Sequence, residues 1–445
     1  MACQIDALCE LGTDRARLKA LEKLPTDLFS TYERVLTRIQ SQGTDAQNVV
    51  RRTLQWILGS IAPLSIPQLI EAIAVEDSDA HLDNYAKVSE RDILRWCSCL
   101  VRPSIGQESL ELAHFTVEEF LETLEHSKNP SFEFLANLKQ DIYVALARTC
   151  LKYLLFEDFA QADILKYPWQ NSHPFWPYAA TFWVEHYRQS RPDEITRGLI
   201  QKFFSPSVSN HFIMWNRFRG FETIIPTLVS DVAESHEEAA RQAVEAADSI
   251  SPLHRAAESN LSGLTKWLLA NGSDPNKASS IGFPLEVAIS STRAETQEDG
   301  IEIIKTLLQP SLHVNVNLAK DPSMTPLAFA IGRESPVIVK LLLEAGAFID
   351  LRSLFALEDT MKRKYSSKQI LGDFMNIVGE LNISMDSRST RKTATIKVVF
   401  IWLPPTIALQ SYTTFWPSTM IAHCAPRKIV MAMYHLHVQL QDPSF

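Results

Sequence analysis

The sequence predicts a mainly α-helical protein of several domains. Apolar residues recur at helical spacing along most of the first 350 positions, turn clusters cut that pattern into paired helices, and two short β-favouring runs near position 100 read as one hairpin. At 445 residues the chain is too long for one ordinary core, and its 46% hydrophobic content fits folded protein. A net charge of −9 supplies no global positive field to gather phosphates, so nucleic acid is a poor default partner. The six cysteines are too sparse and irregular for a disulfide framework, which points to a reducing compartment and a cytoplasmic location.

Taken in order, MACQIDALCELGTDRARLKALEKL reads as an amphipathic helix. Asp6, Glu10 and Asp14 interrupt the apolar run that a signal peptide needs. A helix follows through NVVRRTLQWILGS and ends near Gly59. The next opens at Ser65, where Ser65 and Gln68 form a capping box and Pro67 sits in the first turn. A third starts after Ser89 and runs through ILRWCSCLV, and CLVRP and SLELAHF then form the hairpin. Thr116 and Glu119 read as a second capping box ahead of a helix carrying Val117, Phe120 and Leu121. Three helices and a hairpin make the winged-helix plan.

The segments LPTDLFSTYERVLTRI, LQWILGSIAPLSIPQLIEAIAV and LELAHFTVEEFLE resemble the stretch that follows the NTPase module in fungal NACHT-ankyrin proteins, relatives of NOD-like receptors. That stretch is named after the winged helix of a GPI inositol-deacylase, without the deacylase reaction. The resemblance covers about residues 1 to 350. It implies that the opening residues are the end of a NACHT module, so that the chain starts where the nucleotide-binding machinery of the family ends.

Residues 126 to 215 continue as aromatic-rich helices, FEFLANLKQDIYVALARTCLKYLL and HPFWPYAATFWVEHYRQS among them. Trp169, Trp176 and Trp183 read as packing between modules rather than a stacking platform, because Phe175, Ala179, Phe182 and Tyr187 surround them at helical spacing.

From 251 the sequence becomes a comb. In SPLHRAAESNLSGLTKWLLANGSDPN, Pro252 fits a first helical turn and Leu253, Ala256 and Ala257 share a face. Leu264, Trp267, Leu268 and Leu269 form a second stripe that Gly272 stops. The pattern returns at Phe283-Pro284-Leu285 and at Thr325-Pro326-Leu327, with the polar insert STRAETQEDG lengthening the loop between the paired helices of the second unit. These units resemble the ankyrin repeat, whose signature is T-P-L-H-x-A. Ser251 replaces its threonine, and Glu286 and Ala328 replace its histidine in the later copies. The resemblance implies that His254 bonds backbone between repeats, and that projecting turns carry the partner surface: Lys277, Ser279 and Ile281 after the first unit, Lys320, Asp321 and Met324 after the second.

No motif for chemistry accompanies this. No glycine is followed by lysine, which rules out a Walker A phosphate loop, and G-x-S-x-G is absent. HEEAA lacks the second histidine of a zinc helix, and Cys97 and Cys99 cannot share one helical face. His423, Cys424, His435 and His437 form a looser cluster that supports no metal site. In SERDILRWCSCL the charges of Glu90, Arg91, Asp92 and Arg95 cancel, contrary to a DNA-reading helix. IKVVFIWLPPTIAL is too short and too interrupted to cross a membrane.

The expected organisation is a helical remnant of a NACHT module at 1–44, a winged-helix domain at 45–125, a helical extension at 126–215, about three ankyrin units with a helical cap at 216–355, and an irregular or disordered tail at 356–445. The expected function is a non-catalytic scaffold or adaptor for a protein partner in fungal recognition signalling, with no cofactor, catalytic residue or metal. The alternatives are an accessory or regulatory protein of a metabolic pathway, and a winged-helix transcription regulator.

Overall fold

The computed structural model describes residues 13–15, 28–127, 130–136, 138–140, 142–160, 172–222, 233–293, 297–321 and 324–349. Most of the expected N-terminal helix, Trp169, the middle of the polar insert, the tail at 356–445 and its His/Cys cluster lie outside them. The chain divides into two compact units, Met1–Ile303 and Ile304–Phe445. Among the described residues the structure is helical apart from one two-stranded sheet.

Helices α1 (Leu28–Ser41), α2 (Thr44–Gly59) and α3 (Ile66–Ala74) open the first unit. The periodic Val50 and Leu54 of α2 are buried, and the helix packs on α1, α3, α4 (Glu90–Cys97) and α6 (Ile142–Leu154). Gly59 permits the last of these contacts, because a Cβ there would sit 2.8 Å from Ile142 Cδ1. Helix α3 opens as its sequence indicates, with Ser65 N–H donating to Gln68 Oε1 at 2.9 Å.

The third helix is shorter than expected. It stops at Cys97 because Ser98 turns to a positive φ of 50°, and a 3-10 turn at Ser98–Leu100 leads into the sheet. Strands β1 (Val101–Pro103) and β2 (Leu110–Leu112) pair antiparallel with Arg102 opposite Glu111, which form an ion pair at 2.8 Å on the outer face. Val101 and Leu110 face inward.

Helix α5 (Phe115–Ser127) corrects a second expectation, since Thr116 and Glu119 do not form a capping box. The Thr116 hydroxyl lies 2.9 Å from both Tyr32 Oη and His114 Nδ1, and His114 stands at the cap, with Nδ1 accepting from Thr116 N–H at 3.3 Å. A tertiary contact to α1 therefore outcompetes the local cap.

The stretch from Phe132 to Leu154 is not continuous helix. A 3-10 turn at Pro130–Leu135 precedes α6. After the short α7 (Glu157–Ala160) come α8 (Phe175–Gln189), α9 (Glu194–Phe203) and α10 (Asn210–Glu222). Trp176 and Trp183 are fully buried, as a core role requires. Trp183 meets Phe204 at 5.7 Å and Trp215 at 5.9 Å between ring centroids, both edge to face. Buried Glu71 ties three elements together: Oε1 accepts from Lys87 Nζ at 2.9 Å, and Oε2 accepts from Tyr153 Oη at 2.7 Å and from Phe175 N–H, at the start of α8, at 3.1 Å.

Helix α11 (Ala233–Asp248) packs on α10, and paired helices follow: α12 (Pro252–Glu258) with α13 (Ser262–Ala270), then α14 (Pro284–Ser291) and α15 (Gln297–Leu307). Helix α12 packs on both α13 and α14. The polar insert is only partly a loop, because Gln297 to Gly300 form the first turn of α15, held by Ser262 Oγ donating to Asp299 at 2.8 Å and by Lys266 to Glu302 at 2.7 Å. The second unit contains the hairpin of α16 (Pro326–Gly332) and α17 (Pro336–Glu344), with Thr325 capping α16 through its hydroxyl.

Candidate functional site: two projecting turns

The first turn, Asn271 to Phe283, leaves α13 and returns to α14. Asp274 Oδ1 accepts from Asn276 N–H at 2.8 Å and sets the bend that swings the chain outward. Ser279 and Gly282 then form a single antiparallel bridge, Ser279 N–H to Gly282 O at 3.1 Å and the reverse at 3.2 Å, so the tip is a four-residue hairpin. Gly282 adopts a φ of 113°, which L side chains rarely occupy, and a Cβ there would strike Glu286 Oε2 at 2.8 Å.

His254 holds this turn from below. Nε2 lies 3.0 Å from Lys277 O and 3.2 Å from Gly282 O, so it carries the proton and donates to both. Nδ1 accepts from Ser251 N–H at 3.2 Å and lies 2.7 Å from Ser251 Oγ. The imidazole is fully buried, and that burial pulls its pKa down to about 4 against the opposing pull of the two carbonyls, so it is neutral at pH 7. A neutral histidine donating to two carbonyls serves as a structural pin and not as a base.

Ser280 supplies a second anchor that the sequence did not reveal. Its N–H donates to Ser249 Oγ at 2.8 Å and its Oγ to Ala246 O at 2.7 Å, at the end of α11. The turn is fixed at its base and its middle, and Lys277 and Ile281 remain exposed at its tip. Of the three residues expected here, Ser279 alone is half-buried, and its hydroxyl closes the turn by donating to Gly282 O at 2.8 Å.

The second turn, in the other compact unit, repeats part of this plan. Asn315 Oδ1 accepts from Asn317 N–H at 3.1 Å, and Asn317 Oδ1 accepts from Phe348 N–H at 2.8 Å. Lys320, Asp321 and Met324 are exposed on it, with Met324 N–H donating to Asp321 O at 2.9 Å. Asn317 to Phe348, Ser249 to Ser280 and Asn260 to Ser291 are all bonds across 31 positions, close to the ankyrin period, and that offset is the signal by which such partners can be found.

Among the described residues there is no group of three or more His, Cys, Asp or Glu side chains that can hold a metal ion. Cys97 is buried with its thiol pushed up to about 12 by that burial, against the pull of a bond with Thr53, which leaves no thiolate for nucleophilic chemistry. No described helix is long and apolar enough to cross a membrane.

Comparison with known proteins agrees with the repeating turns. The chain is 31% identical over 211 residues to azaphilone pigments biosynthesis cluster protein L of Monascus ruber, a match covering 45% of this chain and 43% of that protein. The chain thus aligns with less than half the length of that relative. Residues 253–353 match the family model for ankyrin repeats in three copies, and this part of the chain is an ankyrin-repeat region.

Proposed function

We propose that the protein is a non-catalytic scaffold that docks a protein partner through the turn tips of its ankyrin repeats. The observation that carries this reading is the first turn, which His254, Ser279 and Ser280 anchor below the tip while Lys277 and Ile281 project from it. A surface ordered before contact loses little conformational entropy on binding, and the exposed Ile281 offers apolar area for a partner to bury. Lys320, Asp321 and Met324 form the corresponding surface of the later turn.

The domain plan fits the same reading: a winged-helix region at 45–125, a helical extension at 126–215 and the repeats with their cap at 216–355. The three helices and the Val101–Leu112 hairpin are consistent with a winged helix serving as a rigid support. Arg102 pairs with Glu111 and Arg95 with Asp92, which takes basic charge away from phosphate contact and disfavours the transcription-regulator alternative. The signalling role follows from the NACHT-ankyrin resemblance. A second reading, an accessory protein of a metabolic pathway, is favoured by the name of the Monascus relative.

The test is affinity purification from the native host with mass spectrometry, comparing the wild type with the double variant Lys277→Glu, Ile281→Glu. Both residues are exposed, so the fold is expected to persist, and the partner is expected to disappear from the purified material. Partner recovery equal to that of wild type would sink the docking reading.

A further inference from the structure

The first turn begins at the sequence's single Asn-Gly pair, Asn271-Gly272, which closes α13. Both residues are exposed. Gly272 holds a φ of 85°, and a Cβ built there would meet nothing within 4 Å, so neither a side chain of its own nor a neighbour shields its nitrogen. The closed cap nevertheless keeps the two residues from reacting. Asn271 Nδ2 donates to Trp267 O at 2.8 Å, Gly272 N–H to Leu269 O at 3.1 Å and Ser273 N–H to Leu268 O at 3.0 Å. Asn271 ψ is 19°, which turns Gly272 N away from the side-chain carbon. The single Asp-Gly pair, Asp299-Gly300, differs: Gly300 is buried in the first turn of α15, and a Cβ there would strike Thr292.

We propose that Asn271 is a self-modifying site gated by the last turn of α13, and that its deamidation loosens the origin of the first turn. When that helix end frays, Gly272 N loses its proton to hydroxide and bonds to Asn271 Cγ. The Cγ–Nδ2 bond breaks, Nδ2 leaves as ammonia, and a cyclic imide remains. Water then opens either carbonyl of the imide, which gives aspartate or its isoaspartyl isomer. The product has no N–H to donate to Trp267 O, and its carboxylate faces a helix end that already carries about half a negative charge. The cap therefore does not re-form as before. The turn keeps its His254 pin and loses its fixed start at α13. That this alters partner contact at Lys277 and Ile281 rests on the docking reading above; the chemistry itself does not.

The experiment holds the full chain at mildly alkaline pH, native and in urea, and follows residue 271 by peptide mapping that separates Asn, Asp and isoaspartate. Native protein is expected to convert about tenfold more slowly than unfolded protein, as for a helix end that frays locally at a cost of about 1.4 kcal/mol. Native protein that still carries Asn271 after about a hundred half-times of the urea sample reacts only through global unfolding, which overturns the proposal. Equal rates with and without urea overturn it as well, because the cap then exerts no gate. Asn271→Gln, whose longer side chain does not close the same ring readily, is expected to stay unmodified. Asn271→Asp stands for the product, and hydrogen exchange at the Gly272 and Ser273 amides is expected to quicken about tenfold. Should that variant unfold, deamidated wild type from the native sample supplies the same measurement. Unchanged exchange there removes the loosening step and overturns the proposal. No partner enters either readout, so their failure leaves the turn-tip reading standing, and failure of that reading leaves them unaffected.

Discussion

His254 carries its proton on Nε2 because its two neighbours there are carbonyls, while Ser251 N–H faces Nδ1. A second proton would have to point at a donor. Burial holds its pKa near 4 in the fold against an ordinary value of 6.5, so as pH falls the unfolded chain takes up the proton first. The stabilisation is complete above pH 6.5 and is lost as pH drops through 4, amounting to about 3 kcal/mol in full. Buried His186 shifts the same way, also to about 4 and also from burial. Urea midpoints are expected to fall between pH 7 and pH 5, and His254→Ala is expected to flatten that fall while costing about 2–4 kcal/mol at pH 7 through unpaired carbonyls. An unchanged pH dependence in the variant would contradict the depressed pKa of His254. Gly282→Ala, which meets both a positive φ and Glu286, is expected to cost about 1–3 kcal/mol on the same measurement. His254 was legible in the sequence because S-P-L-H fixes a cap and a pin at set offsets. Ser280 was not, since a serine in a turn has no periodicity and its partners lie one repeat away.

At the scale of elements, helix starts with a side-chain acceptor and a proline were readable, as at Ser65 and Ser251, because both signals are local. Thr116 misled for the opposite reason: its hydroxyl is engaged by Tyr32, 84 positions away. Glu71 was invisible too, since in LIEAIAV it reads as a solvated face, and only the arrival of α6 and α8 buries it. The burial of Tyr153 itself, followed by the Glu71 charge, pushes its phenol well above the ordinary range, so the hydroxyl stays a donor. Removing the cation is expected to expose the cost of the arrangement. Lys87→Met leaves a buried carboxylate short of its ion partner and is expected to destabilise by about 3–5 kcal/mol, with much of the loss recovered when Glu71→Gln is added. A double variant no more stable than Lys87→Met alone would show that the carboxylate is solvated in solution.

For the whole molecule, the mainly helical class and the position of the repeats were legible because both rest on periodicity sustained over many residues. A polar cleft of about 350 Å³ between α8, α10 and the ends of α12 and α14 was not, because its walls come from four separated segments that no sequence window contains. Without a Walker A motif in the sequence, millimolar Mg·ATP is expected to leave the melting temperature unchanged, whereas a nucleotide at a hundred times its Kd adds about 2.7 kcal/mol. An upward shift would return the protein to the nucleotide-switched class. The bonds from Ser280 to Ala246 and Ser249 also bear on where the repeat region can be cut. A recombinant fragment begun at Ser251 discards both acceptors and leaves the first tip to wander on its histidine pin, whereas one begun at Ala233 retains them, so the shorter piece is expected to be a poor bait even if it folds.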